Sequence, residues 1–275
     1  MPVLEVKNVY FSYPDGTRAL QSLSLGFARA RRTALLGRNG AGKSTLFALL
    51  NGIEKPGRGE VRFAGAPVAY DRAGLRRLRR SVGVVFQDPD TQLFSASIRE
   101  DISFGPSNLG LSRDQVRSRV ETALAAVGLT ALAERPTHAL SYGEKKRACI
   151  AGVLAMEPEV LILDEPTAGL DPPMAAELVN LLAALHERGM TVILATHDVD
   201  FAFAWADDIG VLQQGTLAFH GAADDFEAVG RSFPALGLEL PWVYEVFAQL
   251  QRNGAISGDR IPRSRAELLA RLRCP

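Results

Sequence analysis

Gly37-Arg38-Asn39-Gly40-Ala41-Gly42-Lys43-Ser44-Thr45 is the stretch on which the reading of the whole chain turns. It matches the phosphate-binding pattern G-x-x-x-x-G-K-[ST], and its flanks are those the pattern requires. Thr33 to Leu36 ahead of it is a short apolar run that reads as a buried strand, and Leu46 to Leu50 behind it reads as the first turns of a helix. Glycines let such a loop curl until successive backbone N–H groups converge on one point. The helix N-terminus adds roughly half a positive charge there. In this pattern Lys43 reaches the β- and γ-phosphates and Ser44 ligates Mg²⁺. The loop therefore predicts a nucleoside triphosphate site.

Composition narrows the setting. A chain of 275 residues can bury a substantial core and hold one large domain or two small ones. Basic and acidic residues balance at 31 each, so no global field favours nucleic acid or an anionic membrane. No apolar run approaches the ~20 residues of a membrane span, Ala148 to Met156 being among the longest. Met1 to Lys7 lacks the basic-then-apolar design of a signal peptide. Cys149 and Cys274 lie far apart and form no metal-spaced set, as expected of reduced thiols in a cytoplasmic protein. A membrane role would have to come through a partner.

Ahead of the loop, Leu4 to Tyr13 and Leu20 to Phe27 each alternate apolar and polar residues around the turn Pro14-Asp15-Gly16, which predicts an antiparallel hairpin. Tyr13 ends the first strand; it reads either as core or as a ring placed to stack on an adenine base. Behind the loop, Gly59 to Phe63 is a strand. Arg72 to Arg80 is a basic helix whose charges read as a solvated face in preference to a nucleic-acid contact. Val82 to Phe86 is a buried strand ending at Gln87, the edge at which open α/β sheets place ligands, where Gln87 could touch Mg²⁺ or an attacking water.

From Ser97 the pattern becomes helical. Ser97 with Glu100 predicts a capping box, Ser112 caps a longer helix with apolar residues at Val116, Val120, Leu124 and Val127, and Gly128 ends it. This insert, about 97–136, interrupts the strand–helix alternation. Leu140-Ser141-Tyr142-Gly143-Glu144 then opens another helix; Ser141 and Gly143 make either a second anion-binding place or an N-cap. Val160 to Leu163 is an aliphatic strand ending in Asp164 and Glu165. Acids there are costly unless they hold a metal or a proton. Asp164 fits the Mg²⁺ side and Glu165 the base that polarises water. Met190 to Thr196 is a further buried strand with His197 at its end, on the edge shared with Gln87 and Glu165 and placed for a γ-phosphate contact. Val199 to Ala206 reads as a helix, and Ile209 to Leu212 with Thr216 to Phe219 as a final hairpin around Gly215.

With Gly37–Thr45, Gln87, Leu140–Glu144, Asp164–Glu165, Asp171 and His197 in this order, the chain resembles the nucleotide-binding subunits of ATP-binding cassette (ABC) transporters over about Leu4 to Phe226. The resemblance implies an α/β fold, a P-loop NTPase (RecA-like) core with an antiparallel β subdomain and an α-helical signature subdomain at about 97–157. Residues 1–230 would form the ATPase domain and 231–275 a helical extension, with amphipathic helices at Pro241 to Phe247 and Ser264 to Arg273, that either dimerises or packs on the core. Phe86 to Phe94 and Phe104-Gly105-Pro106 look like the ATPases of energy-coupling factor importers of vitamins, cobalt or nickel. Leu140-Ser141-Tyr142-Gly143, Thr196 to Asp200 and Trp205-Ala206-Asp207 look most like the cobalt branch.

The resemblance further implies two such subunits face to face, a homodimer, with ATP and Mg²⁺ between the phosphate loop of one and Ser141–Gly143 of the other. Glu165 would activate water, His197 and Gln87 position the γ-phosphate and the water, and Asp171 link the two sites. An integral membrane subunit would seat a helix near Gln87 to Phe94, beside a substrate-binding membrane component, leaving this chain peripheral on the cytoplasmic face of the cell membrane and away from nucleic acid. The signature departs from the usual Leu-Ser-Gly-Gly-Gln at Tyr142 and Glu144, and Glu144 is expected to bring negative charge near the triphosphate. A vitamin importer, or a soluble cassette acting on ribosomes or DNA, is the alternative; one cassette and no sustained heptads weigh against the soluble kind.

Overall fold

The computed structural model describes residues 1–225, 233–256 and 260–272. The alternating segments at the start of the chain pair as predicted. Strand β1 (Pro2–Ser12) runs antiparallel to β2 (Arg18–Ala28) and to β4 (Arg58–Phe63). A two-residue β5 (Ala66–Pro67), too short to carry a pattern, completes this sheet in the order β2-β1-β4-β5.

The continuous aliphatic runs make the second sheet. Strands β3 (Arg32–Leu36), β6 (Val82–Val85), β7 (Val160–Asp164) and β8 (Thr191–Ala195) are buried almost throughout, as parallel strands covered on both faces must be. With β9 (Asp208–Gln213) and β10 (Thr216–Ala222) the order is β10-β9-β3-β8-β7-β6, antiparallel only at the final hairpin. The strand ends followed by Gly37, Gln87, Glu165 and His197 thus lie along one edge.

Helix α1 (Lys43–Leu50) follows the phosphate loop, and α2 (Arg72–Ser81) is the arginine-rich helix. The α2 arginines are exposed, though Arg76 and Arg79 also donate to the Asn108 and Gly52 carbonyls. The insert folds as α3 (Ile98–Asn108) and α4 (Arg113–Ala126), packed against α5 (Tyr142–Leu154). Gly128, with φ of 68°, lies just past the α4 cap.

The capping box expected at Ser97 is only half made. Ser97 Oγ accepts from the Glu100 N–H at 3.3 Å, but it is Asp101 that turns back, accepting from the Phe94 and Ser95 N–H groups at 2.9 Å each. One residue of helical rotation aims Asp101, and not Glu100, at the incoming loop. Complete boxes form instead at Ser112–Gln115 and Ser141–Glu144.

Helices α6 (Pro172–Glu187) and α7 (Val199–Trp205) close the remaining crossovers. Beyond them α8 (Trp242–Arg252) and α9 (Arg265–Leu272) pack on each other through Val243, Phe247 and Leu268. This segment also packs on the preceding chain. Phe233 is buried in the main core, the Trp242 N–H donates to Asp200 Oδ1 at 2.8 Å, and Arg263 donates to the Phe203 carbonyl at 2.7 Å and to that of Ala206. Cys149 is a buried free thiol pushed up to about 12 by burial; Cys274, Arg273 and Phe226 to Gly230 lie outside the described residues. Among the described residues no helix is long and apolar enough to cross a membrane.

Candidate functional site

At the carboxyl edge of the parallel sheet lies a cleft of about 380 Å³ lined by Asn39 to Thr45, Gln87, Asp164 and Glu165, with Tyr13, Thr17, Arg18 and Ala19 of the β1–β2 hairpin as its other wall. Gly37 and Arg38 are not in the lining but meet it through Lys43, whose buried ammonium donates to Gly37 O at 2.6 Å and to Arg38 O at 3.5 Å. Burial lowers the Lys43 pKa, opposed by the Glu165 and Asp164 charges. Lys43 thus lies along its own loop, a cation held ready where the glycine amides converge.

Ser44 donates its hydroxyl to Asp164 Oδ2 at 2.5 Å across the gap between α1 and β7. Burial raises the Asp164 pKa, with Glu165 adding to it, and the Ser44 hydrogen bond opposes the shift. A hydroxyl, a carboxylate and the nearby Gln87 amide are hard oxygen donors, the set that suits Mg²⁺. Among the described residues no group of three or more His, Cys, Asp or Glu is placed to hold a metal ion by itself; the pairing of Ser44 with Asp164 fits a cation whose other ligands are phosphate and water.

Glu165 is 6% exposed and His197 stands over it, Nδ1 at 3.0 Å from Glu165 Oε2. A carboxylate only accepts, so Nδ1 carries the proton and a neutral ring presents a lone pair at Nε2. Contact with a phosphate oxygen then requires a second proton on the ring, or release of Glu165. His197 is not itself in the cleft lining; it reaches the site through Glu165. Tyr13 is 37% exposed, its ring edge-on to Phe11 and its hydroxyl bonded to Thr45 Oγ1 at 2.9 Å. It is therefore a wall of the cleft and not part of the buried core.

Ser141, Gly143 and Asp171 are not brought to this cleft within one chain. Ser141 caps α5, Asp171 caps α6 by accepting from the Met174 N–H at 2.8 Å, and Gly143 lies against Met174 and Leu170. The Glu144 carboxylate is held at the start of its own helix: Oε2 accepts from the Ser141 N–H at 2.7 Å, and Oε1 lies 3.7 Å from Arg135. The Ser141 hydrogen bond lowers the Glu144 pKa despite partial burial, and Arg135 adds to it. Glutamate thus serves at this position as a capping residue.

Two contributors escaped the sequence reading. Arg18 brings a cation to the cleft wall; the signal was its place on the hairpin end that carries Tyr13. Lys146 is buried and donates to the carbonyls of Glu165 at 2.7 Å and Pro166 at 3.0 Å. Glu144-Lys145-Lys146-Arg147 are consecutive charges on one helix and sweep most of its circumference, so at least one had to point inward.

Residues 20–168 match the ABC transporter family. The energy-coupling factor transporter ATP-binding protein EcfA of Methanocaldococcus jannaschii is 44% identical over 256 residues, covering 93% of this chain and 92% of that protein. An ABC transporter ATP-binding protein of Methanosarcina mazei is 42% identical across 99% of this chain, which spans 60% of that longer relative. The solved structure of cbiO1 from Clostridium perfringens, described as part of the ABC transporter complex cbiONQ, superposes with a TM-score of 0.76 at 44% identity, over 91% of this chain and 99% of that one. A dimeric ATP-binding cassette in a post-hydrolysis state, bound to ADP and Pi, gives a TM-score of 0.73 at 26% identity, over 80% of this chain and 98% of that one.

Proposed function

This chain belongs to the ABC transporter family, and on that premise we propose that it is the ATP-binding, ATP-hydrolysing subunit of an energy-coupling factor importer that carries cobalt or nickel ions. The observation that supports hydrolysis most strongly is Glu165: a buried carboxylate, bonded to His197 at 3.0 Å, in the wall of the cleft that the phosphate loop lines. The loop amides and Lys43 bind and orient the triphosphate. Tyr13 offers the base a ring at the mouth, and Arg18 a cation beside it. Glu165 takes the proton of the attacking water, and Gln87 at the end of β6 orients that water. His197 steadies Glu165 through its Nδ1 proton and, when charged, donates from Nε2 to the γ-phosphate. Ser44, Asp164 and Gln87 would hold Mg²⁺, which when bound neutralises developing charge on the phosphate oxygens.

The cleft of one chain contains no signature residue, which supports a working pair in which Ser141 and Gly143 of a second copy close over the ATP and Asp171 links the two sites. Residues 1–230 act in this reading as the ATPase domain, with the helical subdomain at about 97–157, and 231–275 as its extension. A second hollow, of about 580 Å³, lies between α2, β6 and α5, beside the exposed rings of Phe86 and Phe94. It suits a helix of the membrane subunit, so the chain works peripherally on the cytoplasmic face, in a complex that also contains a substrate-binding membrane component. Uptake of labelled cobalt and nickel by cells with and without this chain tests the cargo. Loss of either metal's uptake is the expected result; intact metal uptake with lost vitamin uptake would redirect the assignment.

A further inference from the structure

Glu165 belongs to the sheet edge, whereas Ser141 to Arg147 belongs to the start of α5. Two side chains of α5 cross between them. The Lys146 ammonium is 3% exposed and donates to the backbone carbonyls of Glu165 and Pro166. An ammonium has three N–H groups, and the face of the Tyr142 ring, 5.4 Å away, stands where a third acceptor would. Its hydrogen-bond acceptors are carbonyls and not a carboxylate, although burial lowers this lysine to about 8. An ordinary surface lysine would extend into water instead.

Tyr142 makes the second crossing. Its hydroxyl donates to the Gln87 carbonyl at 3.3 Å, and its ring lies over Gly169, where a β-carbon would come within 2.9 Å of Cε1. The first turns of α5 therefore hold one backbone carbonyl beyond β6 and two beyond β7.

Glu165 needs such holding. Its φ is +45°, a left-handed conformation that a β-carbon disfavours. Its N–H is fixed to Ala195 O at 3.0 Å and its carbonyl to Lys146. The peptide is thus gripped from β8 on one side and from α5 on the other, which aims the carboxylate at His197.

We propose that Tyr142 and Lys146 are positioning residues: from α5 they fix the Glu165 peptide and the Gln87 carbonyl, so that the aim of the carboxylate follows the position of the helix that carries Ser141. This rests on the reading of Glu165 as the base. A glycine at 142, usual for the signature, would supply neither the ring nor the hydroxyl. When α5 moves away from the sheet edge, the grip loosens and hydrolysis stops while ATP stays bound.

The test measures kcat for ATP hydrolysis, ATP affinity and melting temperature on the purified chain and its variants. Lys146→Met is expected to lower kcat about tenfold or more with ATP affinity within about twofold. Lys146→Arg, which keeps the donors, is expected to recover at least about a third of the rate. Tyr142→Phe is expected to lower kcat about threefold with the melting temperature unchanged. A rate for Lys146→Met within about twofold of the parent overturns the proposal, as does parallel loss of affinity and rate. If Lys146→Met does not fold, Tyr142→Phe decides, an unchanged kcat overturning it. Glu165→Gln separates the two readings. An impaired Glu165→Gln beside unimpaired Lys146→Met and Tyr142→Phe overturns only the positioning role; an unimpaired Glu165→Gln overturns the base assignment and this proposal together.

Discussion

Adding one carbon atom at Gly42 tests whether the loop's curl is what binds the triphosphate. Gly42 has φ of +105°, and a β-carbon built there would lie 2.8 Å from the Ala19 carbonyl oxygen and 2.8 Å from Leu20 Cδ2. The positive φ alone costs an alanine roughly 1–2 kcal/mol. The backbone oxygen cannot swing aside as a side-chain tip would, so the total is about 2 kcal/mol in the loop's working conformation. If binding requires that conformation, Gly42→Ala raises the dissociation constant for ATP about 30-fold. Gly40 is the internal control, because its φ is +79° but nothing lies within 4 Å of its β-carbon position. Gly40→Ala then costs only the conformational part, about 1 kcal/mol, or about fivefold. Titration with a fluorescent ATP analogue, with circular dichroism to check folding, reads both. Gly40→Ala binding as poorly as Gly42→Ala, or Gly42→Ala binding within about threefold of the parent, would refute the reasoning.

Lys43→Ala is expected to weaken ATP binding about tenfold or more by removing the buried cation, and unchanged affinity in the same titration would contradict the loop assignment. Glu144→Ala is expected to cost about 1 kcal/mol of stability through the lost capping box, and Glu144→Gln less, because an amide still accepts from the Ser141 N–H. The folded Glu144 pKa lies below its ordinary 4.5, so its charge stabilises the fold above that pH and the contribution is lost as pH falls through the lower, folded value. Thermal melts from pH 7 to pH 3 should therefore show the gap between the parent and Glu144→Gln closing below about 4.5; a gap that widens would show that the charge is not held as described.

Much of the fold was legible because its signals are local. The phosphate loop is nine consecutive residues, and the strands beneath it are unbroken aliphatic runs, as a parallel sheet demands. Gln87, Asp164, Glu165 and His197 could be found because each sits at or just past the end of such a run. What escaped depends on direction. Glu100 and Asp101 differ by one step of helix, and only the fold shows which of them meets the loop at Phe94. Glu144 was legible as a charge but not as a cap, since the same spacing permits the side chain to turn outward. Lys146 lies in a run of charges that reads as a solvated first turn, and its carbonyl partners are about twenty residues away in sequence. The packing of Phe233 and Arg263 on the preceding chain is likewise a long-range outcome that no short pattern encodes.

The most direct test replaces the carboxylate and keeps its shape. Glu165→Gln should bind ATP with the parent's affinity and hydrolyse it ~10²-fold more slowly or worse, because an amide cannot take the proton of the attacking water. Parallel measurement of the dissociation constant and the single-turnover rate separates these effects. Retained binding with lost turnover is the expected result; equal losses of both, or turnover near that of the parent, would contradict the role of Glu165 as the base.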